Sequence, residues 1–135
     1  MVTIVMDYRG GLRCTATHAP SNTRLTTDAP VDNQGRGESF SPTDLVATAL
    51  GTCMLTTMGI VAERHGWSME GANATVVKEM VADPVRRIGR LRVKIAMPGA
   101  LEPAAREALE RAAHTCPVHR SLAPNVDIPV EFIWS

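Results

Sequence analysis

The sequence predicts an α+β fold in which strands and helices occupy separate parts of the chain. Several short segments alternate apolar and polar residues, which is typical of half-buried strands, and two longer segments repeat apolar residues every three or four positions, which is typical of helices. The chain has 135 residues and no internal repeat or interdomain linker, so we expect a single domain over residues 1–135. The predicted order is β-β-β-α-β-β-α-β, with antiparallel sheets and a long central helix.

The first part of the chain predicts three strands and a loop. Residues 2–6 and 12–18 alternate on either side of a glycine-containing turn at residues 9–11, so they are expected to form a hairpin. A third short strand is expected at residues 23–27. Residues 28–40 lose all periodicity and collect proline, glycine and polar residues, so this stretch is predicted to be a mobile loop.

The next segment has the composition of a helix start. Ser41 is a favourable N-cap, Pro42 suits the first helical position, and Asp44 stands where its carboxylate can bond back to the cap. Apolar residues then recur at helical spacing, with few charges before Glu63. We therefore expect a central helix that ends at Gly66.

The second half of the chain predicts a hairpin, a helix with a small-residue face, and a last strand. A helix is expected to end at Cys116, because a residue that precedes proline avoids the helical region. The expected elements are strands at residues 69–81 and 91–97 around a turn at 83–84, helices from Pro103 and from Pro117 through Leu122, and a strand at 126–134.

Composition excludes several classes of function. The formal net charge is zero and no run of like charges occurs, so the basic surface of a nucleic-acid or anionic-membrane binder is missing. The first twenty residues hold no long apolar run, and three cysteines are too few for a secreted disulfide framework. We expect a cytoplasmic protein whose partner is a small molecule or another copy of itself.

Two cysteines are candidates for chemistry. Cys53 lies on the apolar stripe of the long helix, where it is either a small buried hydrophobe or a thiol activated by a neighbouring cation. Cys116 lies at a helix break, where it is either an ordinary helix end or a thiolate that accepts hydrogen bonds from N–H groups of the next turn. His114, Cys116 and His119 also suggest zinc, but a closed site needs four ligands and no C-x-x-C exists, so no metal is expected.

Two charged residues could tune a thiol. Asp44 either completes the helix cap or holds an arginine by a bidentate contact. Arg36, between two glycines, is either that arginine or a solvated loop charge. Cys14, on an early strand, is most simply a residue packed on the core.

Two segments together resemble the OsmC/Ohr family, the osmotically induced and organic-hydroperoxide-resistance proteins. Residues 41–54, SPTDLVATALGTCM, are similar to that family's S-P-x-[DE]-L-h-x-x-A-h-x-x-C helix, with h apolar. Residues 113–118, AHTCPV, are similar to its second-cysteine motif, and the spacing of 63 positions between the two cysteines also resembles the family.

The resemblance implies an intertwined homodimer with buried central helices and two active sites at the dimer interface. It implies that Cys53 is the peroxidatic thiol and Cys116 the resolving thiol of an enzyme that reduces organic hydroperoxides without a cofactor. A dithiol reductant, which can be lipoyl-type in characterised relatives, would restore both thiols. The family also uses an arginine to stabilise the thiolate and an acidic residue to position it, roles that would fall here to Arg36, with Arg24 as its competitor, and to Asp44.

The chain departs from the Ohr branch in one respect. That branch places Glu directly after the proline, where this chain has Thr43, and Asp44 follows one position later, as in the OsmC-like branch. A shift of one residue rotates a helical side chain by about 100°, which favours the capping role for Asp44. If no arginine reaches Cys53, the alternative is a non-catalytic redox-sensing or small-molecule-binding protein with the same fold.

Overall fold

The structure is a computed structural model that describes all 135 residues. It contains six strands and three α-helices, and the predicted mixture of strands and helices is confirmed. In chain order the elements are β1 Ile4–Gly10, β2 Arg13–His18, β3 Thr23–Asp28, a 3₁₀ turn Val31–Asn33, α1 Pro42–His65, β4 Asn73–Val81, β5 Arg87–Met97, α2 Pro103–His114, α3 Pro117–Leu122 and β6 Val130–Trp134.

The chain divides into two compact units, Met1–Val46 and Ala47–Ser135. The boundary falls inside α1, so the first turn of that helix belongs to the first unit. Each unit holds one three-stranded sheet, ordered β1-β2-β3 in the first and β4-β5-β6 in the second. The expectation of a single domain over residues 1–135 stays a prediction.

The sheet of the first unit is antiparallel throughout, as predicted. Its register places Met6, Ala16 and Leu25 in one row, and successive residues of a strand point to opposite faces. One face is therefore rich in apolar residues, because Ile4 and Tyr8 share the face of Met6 on β1. These apolar side chains are exposed in the single chain, from 44% for Leu25 to 67% for Tyr8.

Helix α1 begins with the predicted capping box. The Ser41 N–H donates to Asp44 Oδ2 at 2.9 Å, and the Asp44 N–H donates to Ser41 Oγ at 3.1 Å. The helix ends at His65, and Gly66 follows with φ of +71°, the left-handed conformation that glycine adopts without strain. Within the second unit, α1 buries a stripe made of Ala47, Leu50, Gly51, Met54, Met58 and Ala62.

By length and composition α1 is also apolar enough to cross a membrane, with a mean hydropathy of 1.8 in its best window. A third of that window is buried inside the protein. One such helix is weak evidence for a membrane span, because the core helix of a soluble protein passes the same test.

The sheet of the second unit differs from the prediction in one strand pair. Strands β4 and β5 form the expected antiparallel hairpin, but β5 and β6 run parallel, with Val93 opposite Val130. The expectation of antiparallel pairing was wrong there because the chain returns through α2 and α3, a crossover that brings β6 back in the same direction. Strand β4 also begins later than expected, since residues 69–72 form a turn in which Gly71 has φ of +93°.

The core of the second unit is built from β5 and the buried faces of two helices, α1 and α2. The inward residues of β5 are nearly inaccessible, as are Leu109 and Ala113 on the predicted inner face of α2. Helix α1 approaches β4 closely at Gly51, where a Cβ atom would lie 3.0 Å from Val76 Cγ2. This contact fixes the part of α1 that carries Cys53.

Candidate functional site

Cys116 stands between two helices of the second unit. It is the N-cap of α3, with an extended backbone at φ −61° and ψ 140°, and Pro117 occupies the first helical position. Its Sγ accepts a hydrogen bond from the His119 backbone N–H at 3.2 Å. The predicted helix break, and the predicted use of free N–H groups of the next turn, are confirmed.

The structure brings Cys53 and Cys116 together as free thiols. Burial raises the pKa of the Cys116 thiol, the His119 N–H opposes that effect, and a hydrogen bond with Cys53 raises the pKa further. Cys116 is fully buried, whereas Cys53 on α1 is partly exposed. A pair of adjacent thiols with unequal access can form a disulfide after one of them is oxidised.

Two histidines flank Cys116 in sequence and meet each other in space. The rings of His114 and His119 lie 5.7 Å apart, edge to face, and the His114 ring also lies 6.1 Å from Phe132 on β6. His119 is half-buried and His114 is exposed. Burial, followed by the charge of His114, lowers the pKa of His119, so its imidazole is neutral at neutral pH.

No group of three or more His, Cys, Asp or Glu side chains is arranged to hold a metal ion. The string of His114, Cys116 and His119 that suggested zinc instead places two imidazoles against each other, and Cys116 Sγ faces a backbone N–H.

A cluster of charges lies in the first unit. Asp28, at the end of β3, is 1% exposed, and its Oδ2 accepts the Glu38 backbone N–H at 3.0 Å. The Arg13 guanidinium lies 3.5 Å from the same oxygen and 2.7 Å from Glu38 Oε2. The Glu38 N–H lowers the pKa of Asp28, and Arg13 adds to this effect against the opposing effect of burial. Asp28 thus ties the loop of residues 29–40 to β2.

The structure also places the two charged candidates from the sequence in the first unit. Arg36 is 78% exposed, and its guanidinium lies 3.9 Å from Glu38 Oε1. The Asp44 carboxylate accepts the Ser41 N–H in the capping box, so its capping role is confirmed. The roles of Arg36 in stabilising a thiolate and of Asp44 in positioning an arginine stay predictions.

Sequence reasoning missed the group formed by Arg13, Asp28 and Glu38. Its members stand at positions 13, 28 and 38, and nothing local in the sequence links them. One signal was available. Asp28 directly follows the predicted third strand and opens an irregular stretch with Pro30, Gly35 and Gly37 among polar residues, where a carboxylate commonly accepts hydrogen bonds from backbone N–H groups.

Comparison with protein families assigns the chain. The family model of the OsmC-like proteins matches residues 35–131, which include both cysteines and both motif segments. The chain belongs to the OsmC-like protein family. Among curated proteins, no sequence matches it.

Solved structures show the same fold. A protein from Psychrobacter arcticus 273-4, provisionally described as an osmotic stress induced and detoxification response protein, is 43% identical with a TM-score of 0.91, over 98% of this chain and 96% of that chain. The organic hydroperoxide resistance protein OsmC of Legionella pneumophila is 21% identical with a TM-score of 0.80, over 98% and 96% of the two chains.

A third similar structure comes from Vibrio cholerae. It is provisionally described as an organic hydroperoxide resistance protein with captopril bound in one of the active sites. It is 18% identical with a TM-score of 0.77, over 98% of this OsmC-like chain and 90% of that chain. The OsmC/Ohr fold expected from the two motifs is therefore confirmed.

Proposed function

We propose that this OsmC-like protein is a cytoplasmic thiol peroxidase that reduces organic hydroperoxides to alcohols. The observation that carries the proposal is the meeting of Cys53 and Cys116, a partly exposed thiol and a fully buried one. The names of its structural relatives support the same reading, since one refers to detoxification and two to organic hydroperoxide resistance.

The proposed reaction has two steps at these sulfurs. The Cys53 thiolate attacks the O–O bond of ROOH, which yields a Cys53 sulfenic acid and, with one proton, the alcohol ROH. The Cys116 thiol then condenses with the sulfenic acid to give the Cys53–Cys116 disulfide and water. A dithiol reductant then reduces this disulfide, which restores both thiols and converts the reductant to its own disulfide. In characterised relatives the reductant can be a lipoyl dithiol.

The proposal includes a homodimer. The sheet of the first unit leaves an apolar face exposed in the single chain, which is typical of an interaction surface. Helix α1 also leaves small and apolar residues exposed, among them Ala49 and Ile60, although the sequence predicts a central helix. A second copy of the chain would cover such surfaces. Arg36 and Asp44 keep the roles that the family resemblance implies, stabilising the thiolate and positioning the arginine.

The first test is a single-turnover reaction. Reduced protein is mixed with cumene hydroperoxide or with hydrogen peroxide, and the products are mapped by mass spectrometry. We expect faster consumption of the organic peroxide and a Cys53–Cys116 bridge. Cys53→Ser should abolish consumption of the peroxide. Cys116→Ser should allow one turnover and leave a Cys53 sulfenic acid that dimedone traps. Cys14→Ser is the matched control and should behave as wild type.

Two results would count against the proposal. Equal consumption by Cys53→Ser and wild type would remove Cys53 from its role. Slow reaction of the wild type with both peroxides would favour the non-catalytic redox-sensing or small-molecule-binding protein instead.

A further inference from the structure

We propose that the outer face of the second sheet carries a binding groove for a small organic anion, a carboxylate attached to a short apolar body. The groove has a volume of about 580 Å³, within the range of about 300–1,000 Å³ that is typical of small-molecule sites. It contains neither cysteine of the candidate site, so it goes beyond the proposed peroxidase. All three strands contribute side chains to it, among them Thr75 and Val77 of β4, Arg92 and Lys94 of β5, Pro129 just before β6 and Glu131 within it.

The groove lies on the side of the sheet that faces away from the core. Successive residues of a strand point to opposite faces, and Val93 is 1% exposed whereas the side chains of Arg92 and Lys94 are 58% and 56% exposed. In the register of the sheet, Val77 lies opposite Arg92. Two residues further along β5, Lys94 lies opposite Thr75. The sheet therefore fixes two cations side by side on its solvent-facing side.

The two cations keep hydrogen-bond donors for a ligand. Lys94 Nζ lies 3.8 Å from Glu131 Oε2, which is longer than a hydrogen bond. The Arg92 guanidinium reaches Glu79 through one nitrogen, Nη2, at 3.2 Å, although a guanidinium offers five N–H donors. Glu131 is the one carboxylate in the lining of the groove, against two cations. The charge of the lining therefore favours an anion.

Apolar surface lies beside the cations. Val77 is 50% exposed, and Pro129 is exposed and fixed to β5 because its carbonyl accepts the Val93 N–H at 2.9 Å. Arg92 and Lys94 stand two residues apart on one face, about 7 Å along the strand, so their long side chains can converge on one carboxylate. An inorganic anion would leave the apolar surface in water, and an uncharged molecule would leave the cations unbound. The groove therefore fits a carboxylate with an apolar body.

The test uses phenylbutyrate as the anionic probe and phenylbutanol as its uncharged counterpart. Each is titrated into isotope-labelled protein, and the chemical shifts of the backbone amides report where it binds and how tightly. We expect phenylbutyrate at millimolar concentrations to shift the amides of residues 75–77, 92–94 and 130–131. Phenylbutanol should bind about tenfold more weakly, because the alcohol lacks both ion pairs. Added salt should weaken the binding of the acid and not that of the alcohol.

Matched variants assign the binding to the groove. Arg92→Gln and Lys94→Gln should each raise the dissociation constant of phenylbutyrate by about two- to fivefold, the scale of an exposed ion pair. Arg90→Gln is the control, because Arg90 lies on the same face of β5 but outside the groove, where it pairs with Asp127 at 2.8 Å. It removes the same charge and should leave the affinity unchanged. Glu131→Gln should tighten binding by about twofold, because it removes the carboxylate that competes for Lys94.

Three results would overturn the proposal, whatever the peroxide assay gives. The first is the absence of shifts in the groove with phenylbutyrate at millimolar concentrations. The second is equal affinity for the acid and the alcohol. The third is an equal loss of affinity in Arg90→Gln and Arg92→Gln. The spectrum of each variant shows whether it is folded, and Lys94→Gln repeats the comparison with Arg90→Gln if Arg92→Gln is not.

Discussion

At the scale of single residues, Cys53 and Cys116 differ most in access. Cys116 has no exposed surface and its Sγ is held by a backbone N–H, whereas Cys53 is partly exposed. Thiol–disulfide exchange depends on which sulfur the attacking thiolate can reach and on how readily the other sulfur leaves. Access favours attack at Cys53, whereas the raised pKa of Cys116 makes its sulfur the poorer leaving group, an effect that the His119 N–H only partly offsets. We expect access to decide, because the Cys116 sulfur has no exposed surface.

This difference predicts where a reductant becomes attached. When the oxidised protein is treated with glutathione, we expect the mixed disulfide at Cys53, with the Cys116 thiol released, and mass spectrometry of the quenched peptides should show at least about a tenfold excess at that position. The same reaction in denaturant is the control, because unfolding removes the difference in access. A native mixed disulfide mainly at Cys116 would contradict the prediction.

A second residue-scale prediction concerns Asp28. Its pKa is lowered in the folded chain, chiefly by the Glu38 N–H, so the ionised form stabilises the fold above the unfolded carboxyl pKa of about 3.9. That stabilisation is lost as pH falls below this value and through the lowered pKa. The Asp28→Asn variant should lack this stabilisation at every pH. In that variant the Glu38 backbone amide should exchange its hydrogen faster than in the wild type at neutral pH.

The control for Asp28 is an exposed acid of the same sheet. Asp7→Asn on β1 removes one negative charge without touching the loop, so exchange at Glu38 should match the wild type. Unchanged exchange in Asp28→Asn, or equal changes in both variants, would show that the Asp28 carboxylate does not hold the loop.

At the scale of elements, two glycines of α1 offer a matched comparison. A Cβ on Gly51 would lie 3.0 Å from Val76 Cγ2, whereas a Cβ on Gly59 would meet nothing within 4 Å. Glycine to alanine in a helix interior stabilises by about 1 kcal/mol when no contact interferes. Gly59→Ala should therefore raise the free energy of unfolding by about that amount, and Gly51→Ala should raise it less or lower it.

The larger Gly51→Val substitution tests the contact with Val76 more strongly. It forces Val76 to move and should destabilise the protein by about 1–3 kcal/mol, as overpacking does, in chemical denaturation. Equal stability gains in Gly51→Ala and Gly59→Ala would show that α1 does not approach β4 closely at Gly51.

The elements also show what the sequence could and could not predict. The start and end of α1 were predictable because their signals are local in the sequence. Ser41 and Asp44, three positions apart, bond to each other, and Gly66 directly follows the last helical residue. The direction of β6 was not, because alternation in residues 126–134 marks which residues face the core and carries no information about whether the neighbouring strand is parallel.

The same distinction holds for the candidate site. Cys53 and Cys116 were found through two local motifs, and the helix break that exposes N–H groups to Cys116 follows from Pro117 alone. The contact between His114 and His119 needs the turn between α2 and α3, and the Asp28 cluster needs a register between β2 and β3 that pairs Arg13 with Asp28. Long-range pairing of this kind leaves no signal at a fixed spacing.

At the scale of the whole molecule, the central question is what covers the apolar face of the first sheet. Met6 is 63% exposed and Tyr8 is 67% exposed in the single chain, and both share a face with Leu25. Val5, on the opposite face of β1, is also exposed at 49%, but its row contains Thr17 and Arg24. The two faces therefore differ in polarity. A charge placed on one face or on the other should affect the homodimer differently.

We expect the wild type to contain two chains per particle in sedimentation equilibrium, and Met6→Lys to dissociate it. Burying one such side chain contributes about 1.5–3 kcal/mol, so its loss, together with a lysine placed in the interface, should raise the dissociation constant at least about tenfold. Val5→Lys adds the same charge to the polar face of the same strand and should leave the dimer intact. Dissociation of the dimer by both variants would indicate that the sheet has unfolded, which circular dichroism would detect. A dimer that survives Met6→Lys would show that a second copy does not cover this face.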